Sequence, residues 1–251
     1  MSLIAALLLA YGVPAAAPAP VVTVLQVWYK PWQSGLAASL TTGSNPCTVT
    51  AGATLVAGSA GWDATRQIPL LGDSAGSFTT PSDAGSVSSI SHPNQMTVGI
   101  STQVNATGGS HTITCPTIND GSGGTNGELE IWLVQVTNMP STLKVRDATS
   151  NHNTRSTKTW SWTSDTTPVV GDLVFAMGTY ENSAASVSGG LSNDSAHGFT
   201  QIGINNDATS FIPTWFGYKI ATAASTQTAS LTTTDNSKTE DFGLMLVLQT
   251  T

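Results

Sequence analysis

Glu128 and Glu130 stand two residues apart in the stretch Gly127-Glu128-Leu129-Glu130-Ile131-Trp132. In an extended chain both side chains leave the same face, because alternate strand residues do. Neighbours on one strand face lie about 7 Å apart. That spacing suits the paired carboxylates of a glycosidase or two ligands of a cation. Nothing in the sequence marks an opposing wall, so the expected environment is the solvated start of a strand. The loops around Asp120 and Asp194 are further places for calcium, but neither has EF-hand spacing.

The four histidines, His92, His111, His152 and His197, are scattered. His111 falls in an alternating run and is expected on its polar face. Asp147, Ser150 and His152 can be drawn as a triad, yet closeness in sequence is not triad geometry. The chain has no Gly-x-Ser-x-Gly elbow, no His-Glu-x-x-His and no phosphate-binding loop. The expectation is a protein that is not an enzyme, with no cofactor and no metal.

The run Ser156 to Ser164 (STKTWSWTS) places Lys158, Trp160 and Trp162 on one strand face. Turned to solvent, the indoles would be a platform for a sugar ring or a contact for a partner subunit. Turned inward, they are core. Cys47 and Cys115 allow one disulfide, worth roughly 4 kcal/mol in the chain-entropy account. The alternative is two buried thiols on neighbouring strands.

The elements that would position these residues are strands. Charged residues make up only 9% of the chain, apolar residues 39%, and there are 24 Gly. Such a chain, rich in Thr and Ser with short apolar runs, reads as strands joined by turns. The seven Trp argue against disorder. A net charge of −7 and the lack of any Lys or Arg run argue against a nucleic-acid partner. A length of 251 residues allows one large all-β domain.

The opening run Leu3 to Tyr11, with Leu3, Ile4, Leu7, Leu8, Leu9 and Tyr11 as its apolar contacts, is nine residues long. A membrane helix needs about 20, so no membrane partner is expected. No Lys or Arg precedes Lys30, so the positive start of a signal peptide is missing, although Ala15 to Ala17 could serve as a cleavage site. Prolines 14, 18 and 20 favour an extended course. Residues 1–35 are therefore expected to be an N-terminal assembly arm, and 36–251 a β-sandwich domain. The alternative is the uncleaved precursor of a secreted protein.

Two halves, about 40–138 and 160–251, carry similar features in the same order. Leu55 matches Leu173, Phe78 matches Phe199, Ile100 matches Ile220, and Leu133 matches Leu246. The offsets are 118, 121, 120 and 113 residues. A near-constant offset is what an internal duplication leaves.

The pieces Val169 to Phe175 (VVGDLVF), Gly198 to Gln201, Tyr218 to Ala223, Thr226 to Thr234 and Leu244 to Leu248 carry a resemblance, as do Thr50 to Ala57 and Thr112 to Val136 in the first half. Together they resemble a jelly-roll-like β-sandwich module found in phage structural proteins and in bacterial surface proteins. The resemblance covers most of residues 40–251 and brings no catalytic residues with it. It implies an all-β, antiparallel, jelly-roll-like sandwich built from two similar halves, with an extended N-terminal arm. It further implies a virion structural protein, a capsid decoration or minor head protein. The expected partners are capsid or other virion proteins and copies of itself, a trimer being one option. The competing expectation is a receptor- or glycan-binding tail or cell-surface module.

Overall fold

The computed structural model describes residues 17–33, 38–41, 46–62, 71–79, 89–91, 96–118, 127–154, 159–180, 197–206, 210, 212–233 and 240–250. The described elements are all strands. In chain order the first eleven are β1 (Val21–Gln33), β2 (Ala38–Thr41), β3 (Cys47–Val49), β4 (Thr54–Trp62), β5 (Gly72–Asp73), β6 (Gly76–Ser77), β7 (Ser89–Ser91), β8 (Met96–Gln103), β9 (Gly109–His111), β10 (Ile113–Ile118) and β11 (Gly127–Thr137). Seven follow: β12 (Val145–Thr154), β13 (Thr159–Thr163), β14 (Leu173–Tyr180), β15 (Thr200–Asn205), β16 (Thr214–Ile220), β17 (Thr228–Thr232) and β18 (Glu240–Leu248). The strand pairings are antiparallel.

Two five-stranded sheets form the centre. One runs β1-β11-β4-β8-β7 and the other β12-β18-β14-β16-β15. The two orders correspond place for place. An edge strand comes first, then the closing strand of its segment, then the Leu-Val strand, then the strand that hairpins back. The sheets lie face to face, with β8 near β18, β7 near β12 and β1 near β15. Smaller sheets cover their outer faces: β2-β10-β5-β6 and β3-β9 on the first, β13-β17 on the second.

Three apolar layers result. The middle one joins the two large sheets and holds Val56, Ile100, Trp132 and Val134 against Phe175, Phe216, Leu244 and Leu246. One outer layer holds Leu55, Phe78, Ile113, Leu129 and Ile131. The other holds Trp160, Trp162, Val174, Trp215 and Met245. Each large sheet is thus covered on both sides. This is why β14 is buried along its whole length and why its sequence is apolar without alternation. Each fully buried large side chain contributes about 1.5–3 kcal/mol of transfer free energy.

The string Gly171-Asp172-Leu173-Val174 has a structural reason. Gly171 takes φ +96, a turn conformation costly for a side chain. Asp172 accepts from Val169 N at 2.8 Å and from Arg146 Nε at 2.5 Å, which pins the turn before β14.

Three expectations are corrected here. Residues 21–33 are not arm: they form β1, paired with β11 from Val21↔Thr137 to Gln33↔Gly127. The second segment begins with β12 at Val145 rather than near residue 160, because β12 pairs along β18. Finally, two of the four matched positions are not equivalent. Leu55 faces an outer layer whereas Leu173 faces the middle, and Leu133 and Leu246 differ in the same way. The residue that shares Leu55's orientation is Val174. A slip of one residue exchanges the faces of a strand, and apolar residues on both faces hide the slip from a sequence comparison. Phe78 with Phe199, and Ile100 with Ile220, do face alike. The apolar contacts assigned to the leader, Leu3 to Tyr11, lie outside the described residues.

Candidate functional site

The strand β11 alternates strictly. Leu129, Ile131 and Leu133 point to an outer layer, while Trp132, Val134 and Val136 point to the middle one. Glu128 and Glu130 have the parity of Trp132. They share a face, as the spacing requires, but that face is covered by the second sheet. Both are 0% exposed. The expectation of a solvated strand start is therefore wrong, because β15, β16, Ser210 and Ile212 close over the carboxylates.

Asn205 Nδ2 donates to Glu130 Oε1. Ser210 Oγ donates to Glu128 Oε1 at 2.5 Å and lies 3.5 Å from Glu130 Oε1, so one hydroxyl bridges the pair. Ser210 Oγ is itself held by Ile212 N at 3.2 Å. The Thr214 hydroxyl also bonds Glu130, and it sits 2.6 Å from Ile212 O and 3.0 Å from the Thr179 hydroxyl. Glu130 Oε2 is buried and has no hydrogen-bond partner among the described groups.

Burial pushes the Glu130 carboxyl well above the usual carboxylate range. The charge of Glu128 pushes it further, and the bonds from Asn205, Thr214 and Ser210 pull it back only in part. The folded state therefore holds a proton that the unfolded chain releases. In chelator, stability should fall as pH rises above about 4.5, the ordinary carboxyl value, through the raised folded-state value. Glu130→Gln keeps the shape without the charge. It should flatten that slope and gain on the order of 1 kcal/mol at pH 8. Urea unfolding at pH 5 and pH 8 checks this, and equal slopes in the two proteins would refute it.

One row of cross-strand partners reads Tyr29–Glu130–Ala60–Val98 in the first sheet. The corresponding row in the second reads Asn205–Thr214–Thr179–Phe242. Matching β11 to β18 puts Glu130 where Phe242 stands. The rows lie against each other, polar where Glu130 meets Thr214 and Asn205, apolar where Val98 and Phe242 join the middle layer.

A second polar cluster lies in the first outer layer. His111 is 1% exposed, contrary to the expected polar face. Its Nδ1 lies 2.7 Å from Asp73 Oδ2 and its Nε2 2.8 Å from Thr107 O. Both ring nitrogens are thus engaged, one by a carboxylate and one by a backbone carbonyl. Cys47 is the register partner of His111, but no ring nitrogen is left to serve the thiol as a base.

Cys47 and Cys115 are buried and unbonded. The disulfide option gives way to the thiol option: both sulfurs pack in the outer apolar layer. Burial pushes the Cys115 thiol up to about 12, and burial with the Asp73 charge raises Cys47. Neither is poised as a nucleophile.

Trp160 and Trp162 do share a face, and it points inward. They are 7% and 2% exposed and pack with Trp215, Leu231 and Met245. A platform for a sugar or a subunit needs an open ring face, so the core alternative holds. Lys158 lies outside the described residues, as do the Asp120 and Asp194 loops and the side chains of Ser150 and His152. Asp147 is taken up by the Thr149 hydroxyl and Thr166 N, each at 3.0 Å, which removes the acid from the drawn triad. Asn205, Ser210 and Thr214 went unnoticed in the sequence, because single polar residues in a Thr- and Ser-rich chain carry no signal.

Among the described residues no group of three or more His, Cys, Asp or Glu is placed to hold a metal. No described helix is long and apolar enough to cross a membrane. No protein-family model matches the chain, and no curated protein does.

Proposed function

We propose that this chain is a virion structural protein, a capsid decoration or minor head component. It would join neighbouring subunits through its N-terminal arm and its sheet edges, act as a homo-oligomer, and carry out no catalysis. The finer architecture belongs to the same reading: two jelly-roll-like halves, produced by internal duplication and packed back to back. The matching strand orders of the two large sheets support it.

The observation that carries the assembly role is β1. It is 13 residues long and ends its sheet among the described strands. Val21, Val24 and Val27 on it are 52%, 46% and 49% exposed. Soluble β proteins usually blunt such edges with charge or cover them. This chain has only 8 Lys and Arg to do so, and its apolar leader, Leu3 to Tyr11, precedes this strand in the sequence. A neighbouring copy would pair with the edge and bury the valines.

Removal of residues 1–20 spares β1 and should leave a folded protein that no longer joins its assembly. Incorporation of the truncated protein at the normal level would refute the anchor. The alternative, a receptor- or glycan-binding tail or surface module, loses the indole platform that motivated it. Binding on a glycan array would revive it.

A further inference from the structure

We propose that Glu128 and Glu130, with Asn205, Ser210 and Thr214, form a site for a hard divalent cation of the calcium class, fastening the two large sheets to each other. The inference is independent of the virion reading.

The case starts from Glu130. It is wholly buried, and its Oε2 faces no hydrogen-bond donor among the described groups. The one charge among the described residues that acts on it, that of Glu128, is repulsive. A buried ionised carboxylate in that position is costly unless a positive charge reaches it. A proton neutralises Glu130; a divalent cation does so as well and gives Oε2 a partner.

The donor set is of the right kind. It offers four carboxylate oxygens, two hydroxyls and, after a half-turn of the Asn205 amide, one amide oxygen. Seven hard oxygens lie within the 6–8 that calcium takes. Magnesium keeps several waters of its own, which an enclosed site between packed sheets does not favour. The donors come from both sheets: Glu128 and Glu130 from β11, Thr214 from β16, Asn205 from β15. A cation here would bridge layers otherwise joined by apolar contact. The corresponding end of the same two rows is closed by Val98 and Phe242. The acids are thus an addition to a layer that hydrophobic residues can complete.

The test uses the full chain, stripped with chelator and then given calcium chloride. At pH 8, 1 mM calcium should raise Tm by about 5 °C over chelator. The shift should shrink at pH 5, where protons compete for the carboxylates. Terbium should bind one per chain and luminesce on tryptophan excitation, since Trp132 is two residues from Glu130 on the same strand face. Glu130→Gln should remove the calcium shift without lowering Tm in chelator. Ser210→Ala should weaken calcium binding at least tenfold, and it serves if the Gln variant does not fold. A wild-type protein whose Tm ignores calcium at pH 8 while still depending on pH would show that only a proton occupies the site, and would overturn the proposal. A calcium shift that survives in both variants would overturn it equally, by placing the ion elsewhere.

Discussion

Trp162→Ala will lower stability by about 3–5 kcal/mol, the usual cost of removing a buried indole. Trp162 is 2% exposed, and its Nε1 donates to Leu244 O at 3.0 Å. Its ring lies on a floor made by Gly178 and Gly243, which are cross-strand partners in β14 and β18. A Cβ on Gly243 would come within 2.4 Å of Trp162 Cδ2, and one on Gly178 within 2.5 Å of Cη2. Alanine at 162 therefore leaves a flat void with no side chain beneath to fill it. Gly243→Ala attacks the contact from the other side and should cost about 1–3 kcal/mol through overpacking. Urea unfolding with a common m-value reads both effects. A loss below about 1 kcal/mol for Trp162→Ala would mean that the indole does not occupy this floor.

His111→Ala comes next, with an expected loss of about 3–5 kcal/mol. The substitution removes the partner of Asp73 Oδ2 and leaves that carboxylate enclosed, with Ala75 N as its other donor at 3.1 Å. It also frees Thr107 O, which His111 Nε2 holds at 2.8 Å. The informative control is the double variant His111→Ala with Asp73→Ala. Removing both partners eliminates the stranded charge, so the double variant should be less destabilised than the two single losses combined. Strict additivity would show that the ion pair contributes nothing and that the histidine matters only as volume.

Much of the strand pattern was legible in the residues themselves. Alternation placed Trp160 with Trp162, and Glu128 with Glu130, on common faces. What alternation cannot say is which second layer covers a face. Asn205 and Ser210 reach the carboxylates from 75 and 82 residues away, and no local spacing records that meeting. The tryptophan face was left undecided for the same reason, since β17 and β18 supply the enclosure. Internal matching failed at Leu55 and Leu133 because a strand that is apolar on both faces aligns equally well one residue out of step. The Gly171-Asp172 turn was visible as a string, but its purpose, gripping Arg146, needed the fold.

In each large sheet the strand made last is not at the rim. β11 inserts between β1 and β4, and β18 inserts between β12 and β14. During synthesis, β12 and β14 therefore leave the ribosome each with one flank open, and stay so until β18 follows. A chain halted before Glu240 would present two unpaired strand edges, the apolar one on β14, and such a species is prone to aggregate. Completion of the second sheet thus waits for β18. The long sequence separation of these pairings makes it slow.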